Sequence, residues 1–189
     1  MRLFQKIAQG VDVLPLLHAL GQNEALWNQY RLRTKCPDIT IMQDIDDIWL
    51  RAQAKAKDLE PITENILALQ SELECVNFPA FVALPQARIM LLDLVRRVEG
   101  CRLGRVMITR LAPGKTIPLH KDSGLYAEYY QRYHITLQNG PGSLFMCDDE
   151  TVCMAQGEVW WFDSLHDHAV INNSADDRIT MIVDIRPLG

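Results

Sequence analysis

From Gly104 onward the chain alternates apolar and polar residues in short runs separated by Gly, Pro, Asn or Asp. The runs "GRVMITRLAPG", "YQRYHITLQ", "GSLFMC", "TVCMAQ", "EVWWFD", "HAVINNS" and "DRITMIVDI" each read as a β-strand. About seven closely spaced strands with turn residues between them predict a jelly roll or small barrel. Before this point the period changes. "VDVLPLLHALG" places apolar residues at helical spacing and stops at Gly21, and "NEALWNQY" continues in the same style. "LPQARIMLLDLVRRVEG" is the clearest helix, with Pro85 in its first turn, Ile89, Leu91, Leu92 and Val95 on one side and Gly100 just past its end. "KCPDITIMQDIDDIWLRA" reads as strands with turns. The pattern predicts one α+β domain over residues 1–189, in which a helical and irregular part, 1–103, packs on a β core, 104–189.

Two strands carry more than their element type. In "YYQRYHITLQ" one face holds Tyr130, Arg132, His134, Thr136 and Gln138, and the other holds Tyr129, Tyr133, Ile135 and Leu137. In "DRITMIVDIR" one face holds Arg178, Thr180, Ile182, Asp184 and Arg186 against Ile179, Met181, Val183 and Ile185. A polar face of this kind is either solvated or turned into a barrel that holds an anionic ligand, because a buried guanidinium needs a carboxylate partner.

Composition narrows the function classes. At 189 residues, 48% hydrophobic and 23% charged, the chain has enough apolar material for a single core. A net charge of -5 without a Lys/Arg block weighs against a protein that holds nucleic acid through its phosphates. No apolar run is long enough for a membrane span, and the charged first residues do not read as a secretory leader, so a cytoplasmic protein is expected. Five scattered cysteines with no C-x-x-C pair fit reduced thiols. Cys147 and Cys153 flank a tight hairpin but are assigned no redox role.

The candidate chemistry starts at "IPLHKDSG". His120 and Asp122 sit at i and i+2, so in an extended segment both side chains leave the same face. His166 or His168, in "FDSLHDHAVIN", could supply a third ligand. H-x-D with a distant His is the two-histidine, one-carboxylate set that binds non-haem iron(II) on one face and leaves positions open. Arg178, on the strand after His168, could bind the far carboxylate of a diacid on such a metal, with Arg132 and His134 as further donors.

The stretch from "TRLAPGKTIPLHKDSG" through "FDSLHDHAVINNSADDRITMIVDIRP" resembles the core of the aspartyl/asparaginyl β-hydroxylase family, a branch of the iron(II)- and 2-oxoglutarate-dependent oxygenases. Its most specific pieces are the F-D-x-x-x-x-H run, Phe162, Asp163 and His168, and the closing Arg178, Asp184 and Pro187. The resemblance implies a double-stranded β-helix, a jelly-roll or cupin-like barrel braced by helices from the N-terminal half. It makes His120 and His168 iron ligands and Arg178 the partner of the far carboxylate of 2-oxoglutarate, with Thr109 helping. Arg132 and His134 fall near the cosubstrate's other end. Asp122 stands where some members lack a carboxylate; its presence favours a full triad of His120, Asp122 and His168, and hydroxylation rather than halogenation. The expected reactants are iron(II), 2-oxoglutarate, O2 and an unactivated C–H of an amino-acid side chain, in a peptide or protein or as a free amino acid.

Several neighbours are read more plainly. His166 is expected as a loop residue, Asp163 as a brace for the loop carrying His168, Trp160 and Trp161 as core, Arg186 at the rim, and Asp44, Asp46 and Asp47 as a solvated loop. Arg51 is a candidate substrate contact, and Tyr126, Tyr129 and Tyr130 are candidate lid residues. The competing functions are a cupin-like metal protein or isomerase that does not use 2-oxoglutarate, which has no use for Arg178 and Arg132 in its cavity, and a non-catalytic binding barrel.

Overall fold

The computed structural model describes residues 2–30, 32–37 and 40–188, so Asp38 and Ile39 of the segment read as strands lie outside the described residues. In chain order the elements are β1 (Phe4–Ala8), α1 (Leu14–Gln22), β2 (Ile45–Ala52), α2 (Thr63–Leu69), β3 (Val76–Asn77), α3 (Pro79–Ala83), α4 (Gln86–Arg97), β4 (Gly100–Leu111), β5 (Thr116–His120), α5 (Leu125–Tyr129), β6 (Gln131–Gln138), β7 (Ser143–Cys147), β8 (Glu150–Val152), β9 (Val159–Phe162), β10 (His168–Asn172) and β11 (Arg178–Pro187). Seven strands form one sheet in the order β1-β9-β6-β11-β4-β2-β3, and four form a second in the order β5-β10-β7-β8. All pairings are antiparallel.

The alternation seen in β6 and β11 decides which side each face takes. Ile135, Leu137, Met181, Val183 and Ile185 pack outward with Val106 and Ile108 against Leu16, Leu20, Leu84, Ala87, Leu91 and Leu94 of the helical layer. Burying each aliphatic side chain of this layer stabilises the fold by roughly 1.5–3 kcal/mol. The inner face meets the second sheet, where Phe4, Ile45, Leu111 and Phe162 of the large sheet pack with Phe145 and Val170 of the small one. Two facing antiparallel sheets with this crossing order make the double-stranded β-helix. The polar residues of β6 and β11 therefore point into a closed interior, and the solvated alternative is excluded: His134, Thr136, Arg178, Thr180 and Asp184 are all buried.

Three local expectations change. The helix over 86–97 buries Ala87, Met90, Leu91 and Leu94, whereas Ile89 and Leu92 are exposed; small Ala87 lets the sheet approach, which turns the stripe away from the bulkier residues. α1 stops at Gln22, and only a single short turn, Glu24–Leu26, follows before Trp27 extends. The N-terminal part is more than a brace, since β1 closes one edge of the large sheet and β2 and β3 form the other. Among the described residues no helix is long and apolar enough to cross a membrane.

Candidate metal centre

β5 and β10 pair in a register that sets His120 directly across from His168. Their rings lie 4.3 Å apart, and the possible ligand atoms of His120, Asp122 and His168 all fall within 4.8 Å of one another. The Nδ1 of His120 lies 2.7 Å from the Pro118 carbonyl oxygen and that of His168 lies 2.9 Å from the His166 carbonyl oxygen. A carbonyl can only accept, so each Nδ1 carries the proton and each Nε2 presents its lone pair. Backbone groups thereby set both tautomers and ring orientations, as in established metal sites. Asp122 follows the end of β5, where its own N–H donates to the Ser164 carbonyl at 2.9 Å and ties it to the loop that leads into His168.

Asp122 is oriented from behind. One of its oxygens accepts from Arg132 Nη1 at 2.6 Å, leaving the other free. Arg132 also makes a bidentate pair with Asp184, at 2.8 and 3.0 Å, and the two residues are directly opposed on β6 and β11. Burial opposes the charge on Asp122, but Arg132 with His168 and His120 outweighs it and holds the carboxyl below its usual range. Arg132 is pushed above its ordinary value despite burial, by Asp122 and Asp184. Asp184→Asn leaves this guanidinium facing one carboxylate instead of two. Its expected cost is about 3 kcal/mol in urea unfolding, the low end for breaking a buried pair because Asp122 remains; an unchanged stability would show the pair to be dispensable.

On the other side of the triad a narrow cavity of about 40 Å³ is lined by His120, His168, His134, Thr109, Phe145 and Arg178 among others. Arg178 is 4% exposed, makes no ion pair among the described residues, and its Nη2 has no hydrogen-bond partner. Burial lowers its pKa to about 10. Thr109 sits across from Thr180 and donates to its carbonyl at 3.4 Å. His134 is enclosed by Phe145 and Phe162, and its Nδ1 is also without a partner. The donor set and the orphaned polar atoms fit a metal at the triad and an organic anion reaching Arg178.

The environment of the histidines has a pH consequence. Burial, followed by Arg178, Arg132 and His168, holds His134 well below its ordinary pKa, and burial lowers His168 against the pull of Asp122. The unfolded chain takes up protons near pH 6.5 that the folded metal-free protein refuses, so stability is highest above that pH and falls on acidification. The expected slope is up to about 1.4 kcal/mol per pH unit for each histidine. Urea unfolding at about pH 7.5 and about pH 5.5 reads it, and His134→Phe should flatten the profile; an equally steep profile in that variant would contradict the assignment.

The other expected residues distribute as follows. Asp163 braces its loop, accepting from the Leu165 N–H at 3.2 Å and, through its carbonyl, from the His166 N–H. His166 lies on the surface beside Asp148. Arg51 does not line the cleft; it ties β3 to β2 and β4 through Asn77, the Cys75 carbonyl and the Gly104 carbonyl. Of the three tyrosines only Tyr126 lines the open cleft beside the triad, and its hydroxyl accepts from the Arg105 N–H at 2.6 Å. Asp44 and Asp46 are surface groups paired with Lys115 and Arg110, but Asp47 is 2% exposed. The solvated-loop reading fails for Asp47 because β2 is an inner strand whose alternation turns Ile45, Asp47 and Trp49 into the interior. Cys147 and Cys153 are both free, and Cys147 pairs in register with Glu150 instead. Arg33 was not singled out by any motif, yet it lines both the open cleft and the inner cavity.

A double-stranded β-helix with two histidines and an aspartate converging at its mouth, and an unpaired arginine behind them, defines the class of the non-haem iron oxygenases that use an organic acid. The family model described as Aspartyl/Asparaginyl beta-hydroxylase matches residues 18–187, and the chain belongs to that family. It is an iron(II)- and 2-oxoglutarate-dependent hydroxylase. In fold it is similar to a Pseudomonas putida prolyl-4-hydroxylase, with a TM-score of 0.52 and 15% identity over 100% of this chain and 95% of that one. It is similar as well to an oxidoreductase of the 2OG-Fe(II) oxygenase family from Burkholderia pseudomallei, with a TM-score of 0.51 and 18% identity over 75% of this chain and 66% of that one, slightly under two thirds of its length. No curated protein sequence matches the chain.

Proposed function

We propose that His120, Asp122 and His168 hold iron(II), that Arg178 binds the far carboxylate of 2-oxoglutarate with Thr109 and neutral His134 beside it, and that the enzyme hydroxylates an unactivated C–H of an amino acid, free or within a peptide. The observation that carries this reading is a triad with two free Nε2 atoms and a free carboxylate oxygen next to a buried guanidinium that has no anion. Bound iron(II) supplies O2 activation, coupling oxidation of 2-oxoglutarate to succinate and CO2 with insertion of one oxygen atom into the substrate C–H.

The protein's own part is positional. Arg132 fixes one oxygen of Asp122, itself fixed by Asp184, so that the second oxygen faces the metal. His134 stays neutral and offers a ring nitrogen without adding charge beside Arg178. Phe145 and Phe162 wall the cavity and exclude water from it. Met42 and Arg33, from the segment before β2, complete the cavity wall from outside the two sheets. Five free cysteines suit a reducing compartment, and we place the enzyme in the cytoplasm.

The test is succinate formation that requires iron(II), 2-oxoglutarate and O2 together and is lost in Asp122→Ala. Iron-loaded protein that forms no succinate above the buffer level, with any amino acid or peptide offered, would favour a cupin-like protein that does not use 2-oxoglutarate.

A further inference from the structure

Arg33 faces two sulfur atoms and no acid. Its Nη1 and Nη2 lie 2.9 and 3.5 Å from the sulfurs of Met107 and Met42, and among the described residues it forms no ion pair. A thioether is a weak acceptor, so this partly buried guanidinium has given up water without gaining an anion in return. Burial, with Arg132 and Arg105 nearby, outweighs Asp47 and Asp122 and lowers its pKa. Asp47 does not close the pair, and its own Oδ1 is buried without a hydrogen-bond partner.

The two sulfurs differ in what can reach them. Met107, on β4, is 2% exposed. Met42 ends the short turn Thr40–Met42, is partly buried, and lines both the open cleft of about 180 Å³ outside the triad and the inner cavity of about 40 Å³. Of the other described methionines, Met90, Met154 and Met181 are buried, and only Met146, on β7, shares the partial exposure of Met42. A small oxidant that enters the cleft therefore meets the Met42 sulfur. Oxidation to the sulfoxide turns a flexible apolar side chain into a polar one, and the new oxygen is a true hydrogen-bond acceptor. At Met42 that oxygen forms beside a guanidinium that lacks one.

We propose that Met42 is a site of reversible oxidation by hydrogen peroxide, that Arg33 holds the sulfoxide oxygen, and that the oxidised side chain narrows the cosubstrate cavity. In the step itself the sulfur lone pair attacks one peroxide oxygen, and the O–O bond breaks as the S–O bond forms. The proton on the transferred oxygen passes to the departing hydroxide, which leaves as water; sulfur gives up two electrons and the peroxide takes them. Methionine sulfoxide reductase returns the thioether. The first two parts stand without the proposed function, and the third rests on it.

The experiment treats the metal-free full chain, carrying Met146→Leu, with graded hydrogen peroxide and maps sulfoxides by peptide mass spectrometry. Met42 should react at least about ten-fold faster than Met90, Met107, Met154 and Met181, whose thioethers must wait for the fold to open. Equal rates at all five, or a Met42 that stays reduced while the buried four react, would overturn the site. Urea unfolding then reads the role of Arg33. Oxidation should leave the unfolding equilibrium constant within about three-fold of the reduced protein's, whereas with Arg33→Leu added it should raise that constant about ten-fold, because the oxygen has lost its charged donor. If Arg33→Leu does not fold, Arg33→Gln, which keeps only a neutral donor, carries the same comparison with a smaller rise. The same response with and without the guanidinium would overturn its part. Finally, iron(II) is added anaerobically and 2-oxoglutarate is titrated by the visible charge-transfer band. Oxidised protein should need about ten-fold more 2-oxoglutarate, as for an overfilled cavity, and treatment with the reductase should reverse the change. Met42→Leu should show no dependence on peroxide. An affinity that oxidation leaves unchanged would overturn the narrowing, whereas a protein that forms no band in either state would overturn the oxygenase site itself, with the sulfoxide map and the unfolding data still deciding the first two parts.

Discussion

Arg178→Met is expected to bind iron(II) normally, to lose 2-oxoglutarate, and to be more stable than the wild type when both are free of ligand. The guanidinium of Arg178 is 4% exposed with no acid paired to it among the described residues, and burial pulls its pKa down from the ordinary arginine value to about 10. That depression corresponds to a folded-state penalty on the order of 3 kcal/mol at neutral pH. For a base whose folded pKa is lowered, the penalty is full below the folded value and fades only as the pH rises from about 10 toward the ordinary arginine value, where the unfolded chain loses its own proton. Methionine removes the charge and offers an apolar chain to Phe145, whose ring the guanidinium now faces at 5.8 Å. The gain should be about 1–3 kcal/mol in the ligand-free protein. Adding 2-oxoglutarate at about a thousand times its Kd should stabilise the wild type by about 4.1 kcal/mol and the variant not at all, so the order of the two reverses. Calorimetric titration and urea unfolding with and without 2-oxoglutarate check both halves. A variant less stable than the wild type, or one that 2-oxoglutarate still stabilises, would contradict the assignment.

His168→Ala is expected to abolish the metal site while leaving the fold in place. His168 supplies one of two Nε2 lone pairs and sits directly across from the other ligand strand, so no neighbouring group can replace it; His166 points to Asp148 at the surface. Altering an outer partner of a ligand already costs ~10–100-fold in metal affinity, and losing the ligand itself should cost more than that range. Iron content after gel filtration and succinate formation should both fall to background. Far-ultraviolet circular dichroism should stay the same, because β10 keeps its pairing with β7 through backbone groups. Retention of iron at the wild-type level would mean that the metal lies elsewhere.

The parts of this site that were legible in the sequence are those whose geometry follows from local periodicity. Asp122 two residues after His120 and the alternation of Arg132 with His134 place side chains on one face whatever the rest of the fold does. Arg178, Thr180 and Asp184 alternate in the same way, and their burial follows once β11 lies between β4 and β6. What periodicity could not supply is the partner of each charge. Asp47 read as solvated because acidic neighbours surround it in sequence, yet β4 pairs with it on one side of β2 and Asn28 bonds its backbone on the other. Arg33 lies in an irregular stretch with no repeat to orient it, and only the tertiary placement of Met107 and Met42 reveals a cation left without an acid. In α4 the strongest apolar residues, Ile89 and Leu92, misled the face assignment because packing against a sheet selected the small residue Ala87.

The most direct test is an anaerobic titration of the metal-free protein with iron(II) and then 2-oxoglutarate, followed in the visible range. The account predicts a metal-to-ligand charge-transfer band that saturates near about one equivalent of 2-oxoglutarate per chain, as expected for a facial triad with open positions. Protein that binds iron yet develops no such band at any 2-oxoglutarate concentration would contradict it.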